Sequence, residues 1–73
     1  MRKGLEIFES RLSALRKEKK LTQTDMGEVL GCSMRNYHRL EHGEINATAT
    51  TLIALADYFD VTIDYLLGRT DER

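Results

Sequence analysis

Residues 22–41, TQTDMGEVLGCSMRNYHRLE, leave few folds open. Two glycines four apart, Gly27 and Gly31, interrupt a stretch otherwise patterned for helix. Thr22 can cap a first helix, because its hydroxyl accepts the free amides of an opening turn. Thr22 to Asp25 approximates a capping box, with Asp25 where Glu or Gln is more usual. Met26 and Leu30 share one face of that helix. Gly31 ends it, since glycine enters the left-handed region without strain. Ser33 can cap a second helix, in which Tyr37, Leu40 and Glu41 share a face. The other side carries Arg35, Asn36, His38 and Arg39.

Gly27 needs a reason. Inside a helix it costs roughly 1 kcal/mol against alanine, so packing must gain from the missing side chain. A second helix crossing closely at a steep angle would supply that gain. A small residue, a turn glycine and two inward apolar residues (Gly27, Gly31, Tyr37, Leu40) form the pattern of a DNA-binding helix-turn-helix. The bland alternative is an ordinary helical hairpin.

Seventy-three residues make one small domain, 1–73, with the helix-turn-helix at 22–41. A single cysteine excludes a disulfide framework within the chain, and no zinc spacing is present. Cys32 reads as a small residue at the turn. Apolar runs are only a few residues long, and no signal-peptide core is visible, so a cytoplasmic protein is expected. The net charge of −1 hides a division. Residues 1–40 hold nine Lys/Arg against five Asp/Glu, whereas residues 41–73 hold two against seven. The basic half contains the proposed recognition helix, and phosphate binding follows local charge. Arg2, Lys3 and the run from Arg16 to Lys20 read as a solvated face.

Elsewhere the chain is patterned for helix. Met1 to Gly4 reads as a frayed start. Leu5, Phe8, Leu12 and Leu15 recur at spacings of three and four, an amphipathic helix running to about Lys19. Leu21 is placed to staple the entry to the next helix. Thr48 can cap a fourth helix with Leu52, Leu55, Ala56 and Phe59 inward and Asp60 at its end. Thr62 can cap a short fifth helix over 63–67, closed by Gly68. The tail, 69–73, is polar and expected to be flexible. This is an all-α chain of five helices.

Three segments carry a resemblance: LTQTDMGEVLG, then S-x3-Y-x2-LE-x-G, then TLIALADYFDVTIDYLLGRTD. Together they resemble the phage-repressor or Cro-type helix-turn-helix family, also called xenobiotic-response-element regulators, from about Phe8 to Asp71. The resemblance implies a compact five-helix lambda-repressor-like domain. It also implies a transcriptional regulator, a repressor by type, that binds double-stranded operator DNA as a homodimer. Gln23 stands where the family's glutamine contacts phosphate and braces the recognition helix. Met34, Arg35 and Arg39 stand at base-reading positions. Ser33, Asn36 and His38 complete the implied DNA-binding set, Asn36 and His38 as phosphate neighbours. Glu41 matches an acid that pairs structurally with the helix 1 arginine, here Arg16. Four positions depart from the pattern. Gly27 replaces the commoner alanine, Lys20 a helix-ending glycine, Glu44 a basic residue and Ala47 a proline.

The chemistry of these residues is uneven. Arg35 or Arg39 can grip guanine O6 and N7 with two hydrogen bonds, worth about 1–3 kcal/mol. Met34 offers apolar contact to a thymine methyl, or packing. Tyr37 reads as core with its hydroxyl at the rim. His38 and His42 read as solvated. An acid at Glu44 should weaken DNA binding or move its loop away. Tyr58, Ile63 and Leu66 are candidates for a dimer surface, against core packing for each singly. No nucleophile–base pair, carboxylate pair or phosphate loop suggests an enzyme, and no cofactor, metal or small-molecule ligand is implied. The competing function is a protein-interaction or antitoxin-like module on the same fold, suggested by the acidic C-terminal half.

Overall fold

A computed structural model describes the backbone of residues 3–73 and the side chains of residues 6–73. Five helices follow one another: α1 (Lys3–Glu18), α2 (Gln23–Leu30), α3 (Met34–Glu41), α4 (Ala49–Phe59) and α5 (Ile63–Leu66). No strand occurs among the described residues. Helix α1 begins two residues before its first apolar position, at Lys3, inside the stretch read as frayed. Met1, Arg2 and the side chains of Lys3 and Leu5 lie outside the described residues.

Each of the last four helices starts at the expected cap. Thr22 accepts the Asp25 amide at 3.0 Å while its own amide donates to the Asp25 carboxylate at 2.8 Å, a complete capping box. Ser33, Thr48 and Thr62 accept the amides of Asn36, Thr51 and Tyr65. These short polar side chains decide where helices begin, so the register of each inward stripe follows from them.

The stripes meet in one core. Phe8, Leu12 and Leu15 of α1 pack with Met26 of α2, Tyr37 and Leu40 of α3, Leu55, Ala56 and Phe59 of α4, and Leu66 of α5. Val61, between α4 and α5, joins them; its short connector gave no periodic signal. Leu66 is 0% exposed and so cannot line a dimer surface, whereas Tyr58 is exposed. Leu21 and Ile63 are partly buried against the core.

Two backbone features shape the bends. At Gly27 an added Cβ would stand 2.8 Å from the Cys32 carbonyl oxygen and 3.2 Å from the Met34 nitrogen. Main chain meets main chain there, which answers why the helix tolerates glycine. After α1, Lys20 adopts φ 59°, the left-handed conformation that the resemblance assigns to glycine.

The tail, expected to be flexible, is tied back in this structure. Arg11 donates to the carbonyls of Tyr65 and Thr70 and pairs with Asp71. The Arg73 guanidinium grips both oxygens of Glu18, and the Thr62 amide donates to the Arg73 carbonyl at 2.9 Å. Except for the Thr62–Arg73 bond, these contacts join residues more than fifty positions apart, beyond the reach of any local pattern.

Two substitutions probe the bends. Gly27→Val should destabilise the domain by about 2 kcal/mol, because the obstructing atoms are backbone and cannot swing away. Lys20→Gly should stabilise it by about 0.5–1 kcal/mol, by removing the left-handed penalty net of glycine's entropy. Thermal unfolding reads both, at roughly 4–8 °C per kcal/mol for a domain of this size.

Candidate nucleic-acid interface

Helix α3 has only eight residues, too few to persist alone. It holds because its inner face is anchored. The Tyr37 side chain is 0% exposed, and Leu40 and Glu41 are buried beside it. The Tyr37 hydroxyl is buried too, not at the rim, and lacks a well-formed hydrogen bond. Burial pushes this phenol well above its usual range, and the neighbouring Glu41 charge adds to that.

Behind Tyr37 lies the ion pair that links α1 to α3. Arg16 Nε donates to Glu41 Oε2 at 2.8 Å and Arg16 Nη2 to Glu41 Oε1 at 3.0 Å, a bidentate fork. The third guanidinium nitrogen, Nη1, donates to the Leu21 carbonyl at 2.8 Å. Burial by itself would raise the Glu41 carboxyl. The hydrogen bonds and charge of Arg16, together with the hydrogen bonds of its other neighbours, lower it by more, so it stays below the usual carboxylate range.

The outward face is different. Ser33, Met34, Arg35, Asn36 and His38 are exposed, and Arg39 is partly so. Met34 is 48% exposed, which favours the contact reading over packing. The Ser33 hydroxyl is engaged as the α3 cap. Gln23, the first residue of α2, is half-buried and touches α3 twice. Its Nε2 donates to Glu41 Oε1 at 3.4 Å, and its Oε1 lies 3.1 Å from His38 Nδ1. The His38 and His42 ring centroids stand 4.0 Å apart. Neither contact of His38 was visible in the sequence, where the residue seemed merely solvated; its pairing with Gln23, fifteen residues away, depends on the crossing of α2 and α3.

Arg39 has a local competitor. Its Nε lies 3.9 Å from Glu44 Oε1, and both side chains are largely solvent-exposed. The Glu44 amide also donates to the Arg39 carbonyl at 2.8 Å. The loop after α3 is therefore folded against the helix, and its acid sits beside an arginine read as base-contacting. Among the described residues no three or more His, Cys, Asp or Glu side chains converge to hold a metal ion. No helix among the described residues is long and apolar enough to cross a membrane.

This arrangement is a helix-turn-helix: a capped α2, a left-handed Gly31 (φ 71°), and α3 presented with its cations outward. The family described as Helix-turn-helix matches residues 12–66, and the chain belongs to that family, the Cro/C1-type transcriptional regulators, which are not enzymes. It is 38% identical over 68 residues to the Uncharacterized HTH-type transcriptional regulator YqaE of Bacillus subtilis, covering 92% of this chain and 59% of that protein. It is 38% identical over 67 residues to the Cryptic phage CTXphi transcriptional repressor RstR of Vibrio cholerae, covering 89% and 60%. To the HTH-type transcriptional regulator AnsR of Bacillus subtilis it is 36% identical over 63 residues, covering 86% and 54%. The chain thus spans between half and three-fifths of the length of these relatives. No solved structure matches it.

The depressed Glu41 carboxyl makes an acid-sensitive fold. A carboxyl held lower in the folded chain than in the unfolded one stabilises above the unfolded value and loses that stabilisation as pH falls through the folded value. Stability should therefore be flat above about pH 5 and decline below it. Glu41→Gln should lower stability at pH 7 by about 2–3 kcal/mol and flatten the acid decline. Urea titrations between pH 3 and 7 measure both; an acid limb unchanged in Glu41→Gln would assign it to other carboxylates.

Proposed function

We propose that this chain is the sequence-specific DNA-binding domain of a transcriptional repressor, acting in the cytoplasm as a homodimer and reading the major groove with α3. The observation that carries this reading is the two-sidedness of α3. Tyr37 and Leu40 are buried behind it, while Arg35, Asn36, His38 and Arg39 face outward on a rigid mount. Arg35 and Arg39 stand one turn apart, so two guanidinium forks can address neighbouring base pairs. Gln23, Ser33 and Asn36 border them and suit phosphate contacts, and Met34 suits a thymine methyl. The likeness to a protein named as a phage repressor supports the repressor assignment.

Dimerisation follows from the number of contacts. One eight-residue helix offers few bonds, whereas two linked copies set about 34 Å apart on successive major grooves would combine their binding free energies. Tyr58 and Ile53, exposed on α4, are apolar enough to contribute to such an interface.

A second reading, a protein-interaction or antitoxin-like module, draws on the Glu44 carboxylate beside Arg39, since an acid at that place opposes phosphate. Salt separates the two readings, because phosphate contacts weaken steeply as salt rises.

Selection of bound sequences from random DNA, followed by fluorescence anisotropy on the selected site, tests the proposal. Binding should survive excess random competitor. Arg35→Ala should cost about 1–3 kcal/mol and relax preference at one base position. Glu44→Lys should tighten binding and steepen the salt slope by about one unit. No enriched sequence, together with a salt-insensitive protein partner, would point to the second reading instead.

A further inference from the structure

The hydrogen bonds running outward from the α1–α3 ion pair all have a forced direction. A guanidinium only donates and a carboxylate only accepts. Glu41 Oε1 already takes a bond from Arg16 Nη2, and Gln23 approaches the same oxygen at 3.4 Å. Gln23 must therefore turn its NH2 group toward Glu41. Its amide oxygen is then left pointing the other way, 3.1 Å from His38 Nδ1. An amide oxygen only accepts, so His38 Nδ1 carries the hydrogen. A neutral imidazole has one N–H, and the far nitrogen, Nε2, is consequently a bare acceptor. Besides Gln23, the His38 ring meets the ring of His42 one turn on. Arg35 and Arg39 are its charged neighbours along α3, and Glu41 and Arg16 stand behind Gln23.

We propose that Arg16, Glu41 and Gln23 form a positioning relay that denies His38 its Nε2–H tautomer, so that this exposed histidine engages a DNA phosphate only as imidazolium. The inference rests on the DNA-binding reading above and specifies how one contact of that surface is controlled. A neutral His38 in this geometry turns a lone pair toward phosphate oxygens, which are acceptors as well, and no hydrogen bond forms. Protonation leaves the bond to Gln23 intact and places a charged donor on the far nitrogen. A histidine without the relay behaves differently. It exchanges tautomers freely and can offer Nε2–H to phosphate while still neutral. The relay thus converts an ordinary surface histidine into a contact that requires proton uptake. DNA affinity then rises as acidification supplies that proton.

Two measurements test this, one of them without DNA. Long-range proton–nitrogen NMR spectra of the free protein at pH 8 should show His38 protonated on Nδ1. Gln23→Ala should shift the ring toward Nε2–H while leaving the amide spectrum of the core unchanged. In the second, DNA affinity at pH 6 is compared with that at pH 8. The gain should be about tenfold for the unaltered chain, the size of one charge-assisted hydrogen bond. It should fall to about twofold in Gln23→Ala, vanish in His38→Ala and persist in His42→Ala. An Nε2–H signal in the unaltered protein would overturn the relay, as would a tautomer and pH ratio that Gln23→Ala leaves unchanged. If DNA fails to bind at either pH, the phosphate role falls with the DNA reading, while the NMR result still decides whether the relay exists.

Discussion

The Arg16 guanidinium is the junction of this small domain. From α1 it takes hold of the Glu41 carboxylate on α3 with two hydrogen bonds and of the Leu21 carbonyl with a third. Leu21 immediately precedes the Thr22 cap, so one planar group sets the spacing between α1, the start of α2 and the end of α3. Removing two charges from water is costly, and only near-ideal geometry with every donor used offsets that cost. Here all three guanidinium nitrogens donate, two of them to the carboxylate as a fork. Arginine is required, since an ammonium could not divide itself among two carboxylate oxygens and a carbonyl in one plane.

Around this junction the helices divide into a mount and a solvent-facing surface on α3. Tyr37, Leu40 and Met26 fill the space behind α3 with apolar volume, while the caps at Thr22 and Ser33 hold the ends of the two short helices. Neither helix has enough residues to be stable by propensity. Their order is borrowed from the longer α1 and α4 through the shared core. The polar line from Arg16 through Glu41 and Gln23 to His38 carries the influence of the buried pair out to solvent.

Much of this was legible in the sequence, for a physical reason. Threonine and serine caps, ending glycines and three-four apolar spacing are local signals, and α2 to α5 begin where those signals lie. The Arg16–Glu41 pair was expected only from resemblance, because nothing local links residues 25 apart. What escaped was set by tertiary contact. Lys20 takes a glycine-like conformation because the chain must turn there. Leu66 is fully buried though its four-residue helix shows no face by itself. The Tyr37 hydroxyl is buried rather than at the rim because the neighbouring helices close over the whole ring. Residues 69–73 are held by Arg11, Glu18 and Thr62, whose partners lie more than ten and mostly more than fifty positions away.

The crossing at Gly27 has a consequence for how such a chain can change over generations. The inner corner of the bend is main chain against main chain, with no side chain of the outward set between the two helices. The closest approach of α2 and α3 is thereby set by main chain and not by the outward residues at 34, 35, 36 and 39. Under the proposed DNA-binding role, those four positions can change toward a new target while the scaffold keeps its pose. A lineage built on this corner can diversify what it reads without first reinventing how it stands.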